Sequence, residues 1–134
     1  MTLNKTKFYL FFAGITLLTV GSYIGFVPVD YLRHFFTHDD FSLDSLSEIR
    51  GMGGSLFLVG AFVFFGAFRQ ALESASLILA CLIFCAFSLF RTLGIAIDGM
   101  PSEGILFALS IEAFFAILAI ILLKANRNPR QAST

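Results

Sequence analysis

Five charged residues lie within or at the ends of long apolar segments, where a charge needs a physical explanation. A charged side chain in a bilayer costs roughly 3 kcal/mol on insertion scales, so such residues pair with one another or line a polar cavity. We expect Arg91 to pair with Glu112, and Arg50 to pair with Glu48 or Asp98. The cluster is therefore either a set of ion pairs that holds helices together or a binding site. The five residues are Glu48, Arg50, Arg91, Asp98 and Glu112.

Two further pairs have the spacing of metal ligands but lack the rest of a site. Cys81 and Cys85 share one helix face, yet no histidine lies at their depth, and we interpret them as packing residues. His34 and His38 adjoin two aspartates, Asp39 and Asp40, and we interpret all four as solvated loop residues. With no motif for a nucleophile or for a bound nucleotide, we predict no catalytic residue, no metal and no cofactor.

The elements that carry these residues are long apolar segments. The chain has 134 residues, 57% of them hydrophobic and 13% charged, whereas a soluble domain is about 25% charged. Four stretches have the roughly 20 apolar residues that a helix needs to cross a bilayer. They cover residues 8–27, 46–68, 72–97 and 102–123. We therefore predict an all-α four-helix transmembrane bundle forming one membrane domain over 1–125, followed by a disordered tail over 126–134.

The connections contain helix-capping signals and one amphipathic segment. Ser45 and Glu48 have the spacing of a capping box at the start of the second span. Gly99 is placed to end the third span in a left-handed conformation, and Pro101 suits a position at or just before the first turn of the fourth. Residues 29–36 are either a short amphipathic helix in the membrane interface or an irregular exposed loop.

The distribution of basic residues predicts the orientation of the bundle. Arg33 and Arg50 lie on one side, and six basic residues lie on the other. The richer side is expected in the cytoplasm with both termini, so the charged cluster lies in the outer halves of the spans and the inner halves are apolar and featureless. The formal net charge is zero, and no basic patch indicates nucleic acid. The six basic residues are Lys5, Lys7, Arg69, Lys124, Arg127 and Arg130.

Gly21 and Gly25 form a GxxxG motif in the first span. Small residues at this spacing let two helix backbones approach closely in lipid. The motif fits a homodimer and packing within the chain equally well.

The segment Glu48-Ile49-Arg50-Gly51-Met52-Gly53-Gly54 resembles the opening of the second helix in a family of small bacterial membrane proteins, domain-of-unknown-function family 4345. Members are similar in an Arg near the end of helix three, an Asp-Gly-x-Pro turn and a Glu within helix four. Those features are here Arg91, the turn 98–101 and Glu112. The resemblance implies a four-helix fold, a bacterial origin and an inner-membrane location. It implies no activity, and Met52 stands where many members have Tyr.

Three functions are compatible with these features. The first is binding or transport of a small polar or ionic ligand at the charged cluster. The second is a structural or accessory subunit of a membrane complex, and the third is a membrane enzyme acting on a lipid-like substrate, which the sequence favours least. The partners expected are membrane lipids and either further copies of the chain or another membrane protein.

Overall fold

The computed structural model describes residues 2–35 and 41–127. The fold is all-α, as predicted, and within the described ranges it consists of five helices. The predicted disordered tail lies outside these ranges from residue 128 onward, while the last helix continues to Arg127. The helices are α1 (Thr2–Phe26), α2 (Pro28–Phe35), α3 (Leu43–Gly66), α4 (Gln70–Asp98) and α5 (Glu103–Arg127).

Four of the helices are long and apolar enough to cross a membrane. The candidate spans are Lys5–Phe26, Leu43–Gly66, Gln70–Asp98 and Glu103–Asn126, with mean hydropathies of 1.6 to 2.7. Each matches one predicted segment, with ends that differ by a few residues. Large apolar side chains are exposed along all four helices, and such a surface is suited to lipid. The chain is therefore a membrane protein by the length and composition of its helices.

The α1 and α3 helices form the most extensive interface, and glycines allow their backbones to approach. A Cβ atom added at Gly60 would lie 2.6 Å from the backbone nitrogen of Leu18. A Cβ atom added at Gly25 would lie 3.2 Å from the backbone nitrogen of Gly54. Gly21 faces the same stretch of α3 backbone. The GxxxG motif of α1 thus packs against α3 of the same chain.

The other helices close the bundle around a core made mostly of aliphatic side chains and alanines, with the aromatic rings of Tyr9 and Phe84. The α4 helix packs on α3 and α5 packs on α4. The rings of Phe84 and Phe115 stack with centroids 4.9 Å apart. The bundle closes between α1 and α5, where the Tyr9 hydroxyl donates to the carbonyl oxygen of Phe115 at 3.0 Å and Asn126 Nδ2 donates to Thr6 Oγ1 at 3.4 Å. We call this side of the molecule, where α1 begins and α5 ends, the terminal end.

The helix ends differ in part from the predicted ones. The α3 helix starts earlier than predicted, because Ser42 is the N-cap and its Oγ accepts the backbone N–H of Ser45 at 3.1 Å. The predicted capping box is therefore wrong, and Glu48 is an exposed residue inside the helix. Gly99 has the positive φ expected after α4, with φ 101° and ψ −172°, so its ψ is extended rather than left-handed helical. Pro101 immediately precedes the capping turn of α5.

The segment predicted as either a short helix or a loop is a helix, α2. Its Tyr31 ring lies 5.9 Å from the ring of Tyr23 on α1. Its Phe35 ring lies against Gly104, where an added Cβ atom would be 2.9 Å from the ring. The α2 helix thus bridges α1 and the start of α5, opposite the terminal end. We call this side of the molecule the α2 end.

Candidate ligand-binding site

A partly open cavity of about 670 Å³ lies at the α2 end, and all five helices contribute to its wall. Small-molecule sites occupy roughly 300–1,000 Å³, so the cavity has the size of a ligand pocket. Most of the lining side chains are aliphatic or aromatic. The polar or ionisable ones are Thr16, Tyr23, Tyr31, His34, Arg91 and Glu112.

Helical spacing explains which side chains of α4 and α5 reach this cavity. Residues three or four apart in a helix lie on the same face. Phe84, Phe87 and Arg91 follow that spacing along α4. On α5, Ala108 and Glu112 follow it as well. The helical spacing therefore places Arg91 of α4 and Glu112 of α5 in the same wall of the cavity.

Arg91 and Glu112 form an ion pair in the cavity wall, as the sequence predicts. The Nε–H of Arg91 donates to both carboxylate oxygens of Glu112, at 3.1 and 2.9 Å. The two side chains are 24% and 14% exposed. The Arg91 guanidinium carbon also lies 5.7 Å from the ring centroid of Phe87, within the range of a cation–π contact. The pair joins α4 to α5 and is the one ion pair seen between the described residues.

Arg50 has a different partner from the one predicted. Its Nη1 donates to the carbonyl oxygen of Gly25 at 3.1 Å, near the C-terminal end of α1. The last carbonyls of a helix have no partner within the helix and carry a partial negative charge, so a cation stabilises them. Within the described residues Arg50 contacts neither Glu48 nor Asp98, and the predicted second pairing is wrong.

The predicted cluster is therefore divided. Arg91 and Glu112 come together in the cavity wall, whereas Arg50 caps α1. Glu48 is exposed on α3, and Asp98 is exposed at the end of α4. Exposed carboxylates near one end of the bundle reach solvent or head groups and need no buried partner. The candidate site has two of the five predicted residues.

Three polar aromatic residues at the cavity were not predicted as site residues, namely Tyr23, Tyr31 and His34. The spacing of Tyr31 and His34 along α2 would have placed them on one helix face. Burial raises the pKa of the Tyr31 phenol above its ordinary value of 10.0. Two smaller effects oppose each other, since the charge of Arg91 lowers this pKa and the charge of Glu112 raises it. The phenol is therefore a protonated hydrogen-bond donor at neutral pH.

The predicted packing role of the two cysteines agrees with their surroundings. Cys81 Sγ and Cys85 Sγ lie 3.9 Å apart, and both residues pack against the core. No group of three or more potential metal ligands occurs in the part of the chain that the structure describes. His38 and the neighbouring aspartates, Asp39 and Asp40, lie outside the described residues.

One carboxylate at the terminal end was missed by sequence reasoning. Glu73 lies in the first turn of α4, and its Oε2 atom is buried without a hydrogen-bond partner among the described residues. A negative charge in the first turn of a helix is favoured by the helix dipole, which accounts for its position. The prediction of featureless inner halves is thus incomplete.

Comparison with known proteins identifies one match. The model of the family described as Domain of unknown function (DUF4345) matches residues 5–123. This range includes the first three candidate spans, the fourth span up to Leu123, the cavity and the ion pair. No curated protein and no solved structure matches the chain. The chain therefore belongs to the DUF4345 family of unknown function.

Proposed function

We propose that this membrane protein binds an amphipathic molecule of the bilayer in the cavity at its α2 end. The observation that carries the proposal is the composition of the cavity wall, which is largely apolar and contains one ion pair, Arg91–Glu112. A pocket of this kind binds the apolar body of a ligand by exclusion of water and orients its polar head through a few polar groups.

The cavity favours an amphipathic ligand over the small polar or ionic ligand expected from the sequence. A hydrated ion that enters an apolar pocket loses water contacts, and that loss is costly unless protein groups replace them. Among the lining residues, guanidinium and carboxylate groups occur only in the wall formed by Arg91 and Glu112. Most of the cavity surface is therefore matched to an apolar body.

The wall of the cavity between α1 and α5 supports entry of a ligand from the bilayer. Among the described residues, the side-chain hydrogen bonds and the ring contact that join α1 to α5 lie at the terminal end, around Tyr9 and Thr6. At the α2 end the cavity separates these two helices, and its lining there includes Val20 of α1 and Phe107 of α5, which are 44% and 69% exposed. A lipid-like molecule can thus enter sideways between α1 and α5 without crossing water.

We place the protein in a bacterial inner membrane with both termini in the cytoplasm. The terminal end carries Lys5, Lys7, Arg69 and Lys124, and the α2 end carries Arg33 and Arg50, a bias that favours this orientation. The cavity then faces the outer leaflet.

A cysteine placed at Phe41 or at Asn126, in a chain with both native cysteines replaced by serine, tests the orientation. A membrane-impermeant maleimide should label the first in intact cells and the second only after lysis.

Native mass spectrometry of the purified protein tests ligand binding. We expect a bound molecule that stays with the protein when bulk detergent is removed and that is released when the protein–ligand complex is dissociated. Ala108→Phe places a phenyl ring in the cavity and should abolish the bound species. Ala86→Phe, on an exposed face of α4, is the matched control and should retain it.

The two variants must first elute as the native protein does and unfold at similar temperatures. An equal bound fraction in Ala108→Phe and Ala86→Phe would contradict the proposal, because the ligand would then lie on the outer surface. Absence of any bound species in the native chain, followed by no uptake of added lipid extract, would contradict it as well.

A further inference from the structure

The Arg91 guanidinium uses one of its three nitrogens for Glu112. Both hydrogen bonds to the carboxylate come from Nε. The terminal Nη1 and Nη2 atoms, which carry four N–H donors, have no partner among the described residues. Because Arg91 lines the cavity and its side chain is 24% exposed, these donors are accessible from the cavity space.

The charge of this wall is already balanced. The Arg91 cation and the Glu112 carboxylate neutralise each other at hydrogen-bond distance. An anionic head group would add an uncompensated negative charge within an apolar surrounding, which carries a desolvation cost. A neutral head group with acceptor oxygens would satisfy the terminal N–H groups without changing the net charge. The balance therefore selects against phosphate and carboxylate heads.

A second donor lies near the same wall. The Tyr31 phenol lines the cavity from α2, and its hydroxyl has no hydrogen-bond partner within the described residues. The ring is held by Tyr23 at 5.9 Å and by Phe35 at 5.0 Å between centroids. The cavity thus offers donors from two helices, and a complementary ligand offers acceptors.

We propose that the ligand is a neutral lipid whose head group presents carbonyl oxygens to the terminal nitrogens of Arg91. The proposal rests on the binding function above and specifies the chemistry of the head group. Two sources supply this chemistry in a bilayer, an isoprenoid quinone and an ester lipid such as a diacylglycerol. Arg91 positions the carbonyl, Glu112 holds the guanidinium in place, and the apolar walls receive the ring or the chains.

Four probes with short apolar tails separate the contribution of the head group to binding from that of the tail. A decyl-substituted benzoquinone and dioctanoylglycerol carry neutral carbonyl acceptors, decylbenzene carries no acceptor, and decyl phosphate is an anion. Their affinities are measured by isothermal titration calorimetry in neutral-detergent micelles, with partitioning into empty micelles subtracted. At least one carbonyl probe should bind about tenfold more tightly than decylbenzene, since a hydrogen bond to a charged donor is worth about that factor.

The double variant Arg91→Met/Glu112→Leu removes the donors and the charges together and keeps side chains of similar volume. It should lose the tenfold preference for the carbonyl probe over decylbenzene. Tyr31→Phe, which removes a single hydroxyl, is a milder second variant and should reduce the preference by a few-fold. Native elution and helix content are checked for each variant before titration.

Each outcome decides a separate point. Preference for the quinone or for the diacylglycerol supports the inference and identifies the source. Equal binding of decylbenzene and the carbonyl probes overturns the head-group inference while the binding function stands. Tightest binding of decyl phosphate overturns the selection against anions. Failure of all four probes, in a chain that elutes as native, contradicts the binding function itself.

Discussion

Removal of Glu112 alone should destabilise the protein more than removal of Glu112 and Arg91 together. Breaking a fully buried ion pair by deleting one partner costs roughly 3–5 kcal/mol, because the remaining charge is left in an apolar surrounding. Arg91 is 24% exposed and its long side chain can turn toward the α2 end, which recovers part of that cost. We therefore expect Glu112→Leu to lower the free energy of unfolding by about 2 kcal/mol.

The double variant Arg91→Met/Glu112→Leu leaves no buried charge. Replacement of a buried pair by apolar residues of similar volume is often neutral, so the double variant should lie within about 1 kcal/mol of the native chain. Arg91→Met alone leaves the Glu112 carboxylate, which is 14% exposed, without a partner. It should cost no more than Glu112→Leu, because an unpaired carboxylate can become neutral by taking up a proton, whereas an unpaired arginine keeps its charge.

Unfolding by dodecyl sulfate in mixed micelles provides the free energies. The chain contains no tryptophan, so the transition is followed by circular dichroism and by labelling of the half-buried thiols of Cys81 and Cys85. Asp98→Leu is the matched control, because it removes an exposed carboxylate from the same helix as Arg91. Its effect should stay within about 0.5 kcal/mol, as for most surface substitutions.

The result that refutes this reasoning is additivity. If the double variant loses as much stability as the two single variants combined, Arg91 and Glu112 do not interact in the folded protein. A coupling free energy of about 2 kcal/mol or more would establish the pair. The charge-swapped variant Arg91→Glu/Glu112→Arg should then also regain part of the stability lost in either single reversal.

Two further predictions concern the packing of α1 on α3. Gly60→Ala should destabilise the protein by about 1–3 kcal/mol, because its Cβ atom would lie 2.6 Å from Leu18 and the helices would have to separate. Gly51→Ala, which meets open space, should instead stabilise α3 by up to about 1 kcal/mol through helix propensity, and dodecyl sulfate titration compares the two. Arg50→Leu should cost about 1 kcal/mol and increase hydrogen exchange near Gly25, because the carbonyl there loses its donor. Unchanged exchange in Arg50→Leu would contradict the capping role, and equal effects of the two alanines would contradict the close approach of the helices.

The four long helices and the Arg91–Glu112 pair could be predicted from the sequence because both follow from strong one-dimensional signals. Runs of about 20 apolar residues identify spans, and the depth of a charge within a span limits its partners. The short α2 helix was predictable only as one of two alternatives. A segment of eight residues has too few turns for its pattern to exclude a loop.

The cavity and the role of Arg50 could not be predicted, because each depends on how separate helices meet. Arg50 was assigned to a carboxylate on the basis of charge, yet the nearby end of α1 supplied a carbonyl oxygen. The cavity arises because α1 packs closely on α3 through glycines and meets α5 mainly at the terminal end. No local sequence pattern predicts that α1 packs more closely on α3 than on α5.

The two interpretations of the charged pair, a structural link and a binding group, are compatible in this geometry. The structural link uses Arg91 Nε, which holds Glu112 and so joins α4 to α5. The proposed binding function would use the terminal nitrogens, which have no hydrogen-bond partner among the described residues. A lysine at position 91 would have a single nitrogen for both tasks, whereas the fork of an arginine separates them. Arg91→Lys should therefore preserve most of the stability and lose most of the preference for a carbonyl head group.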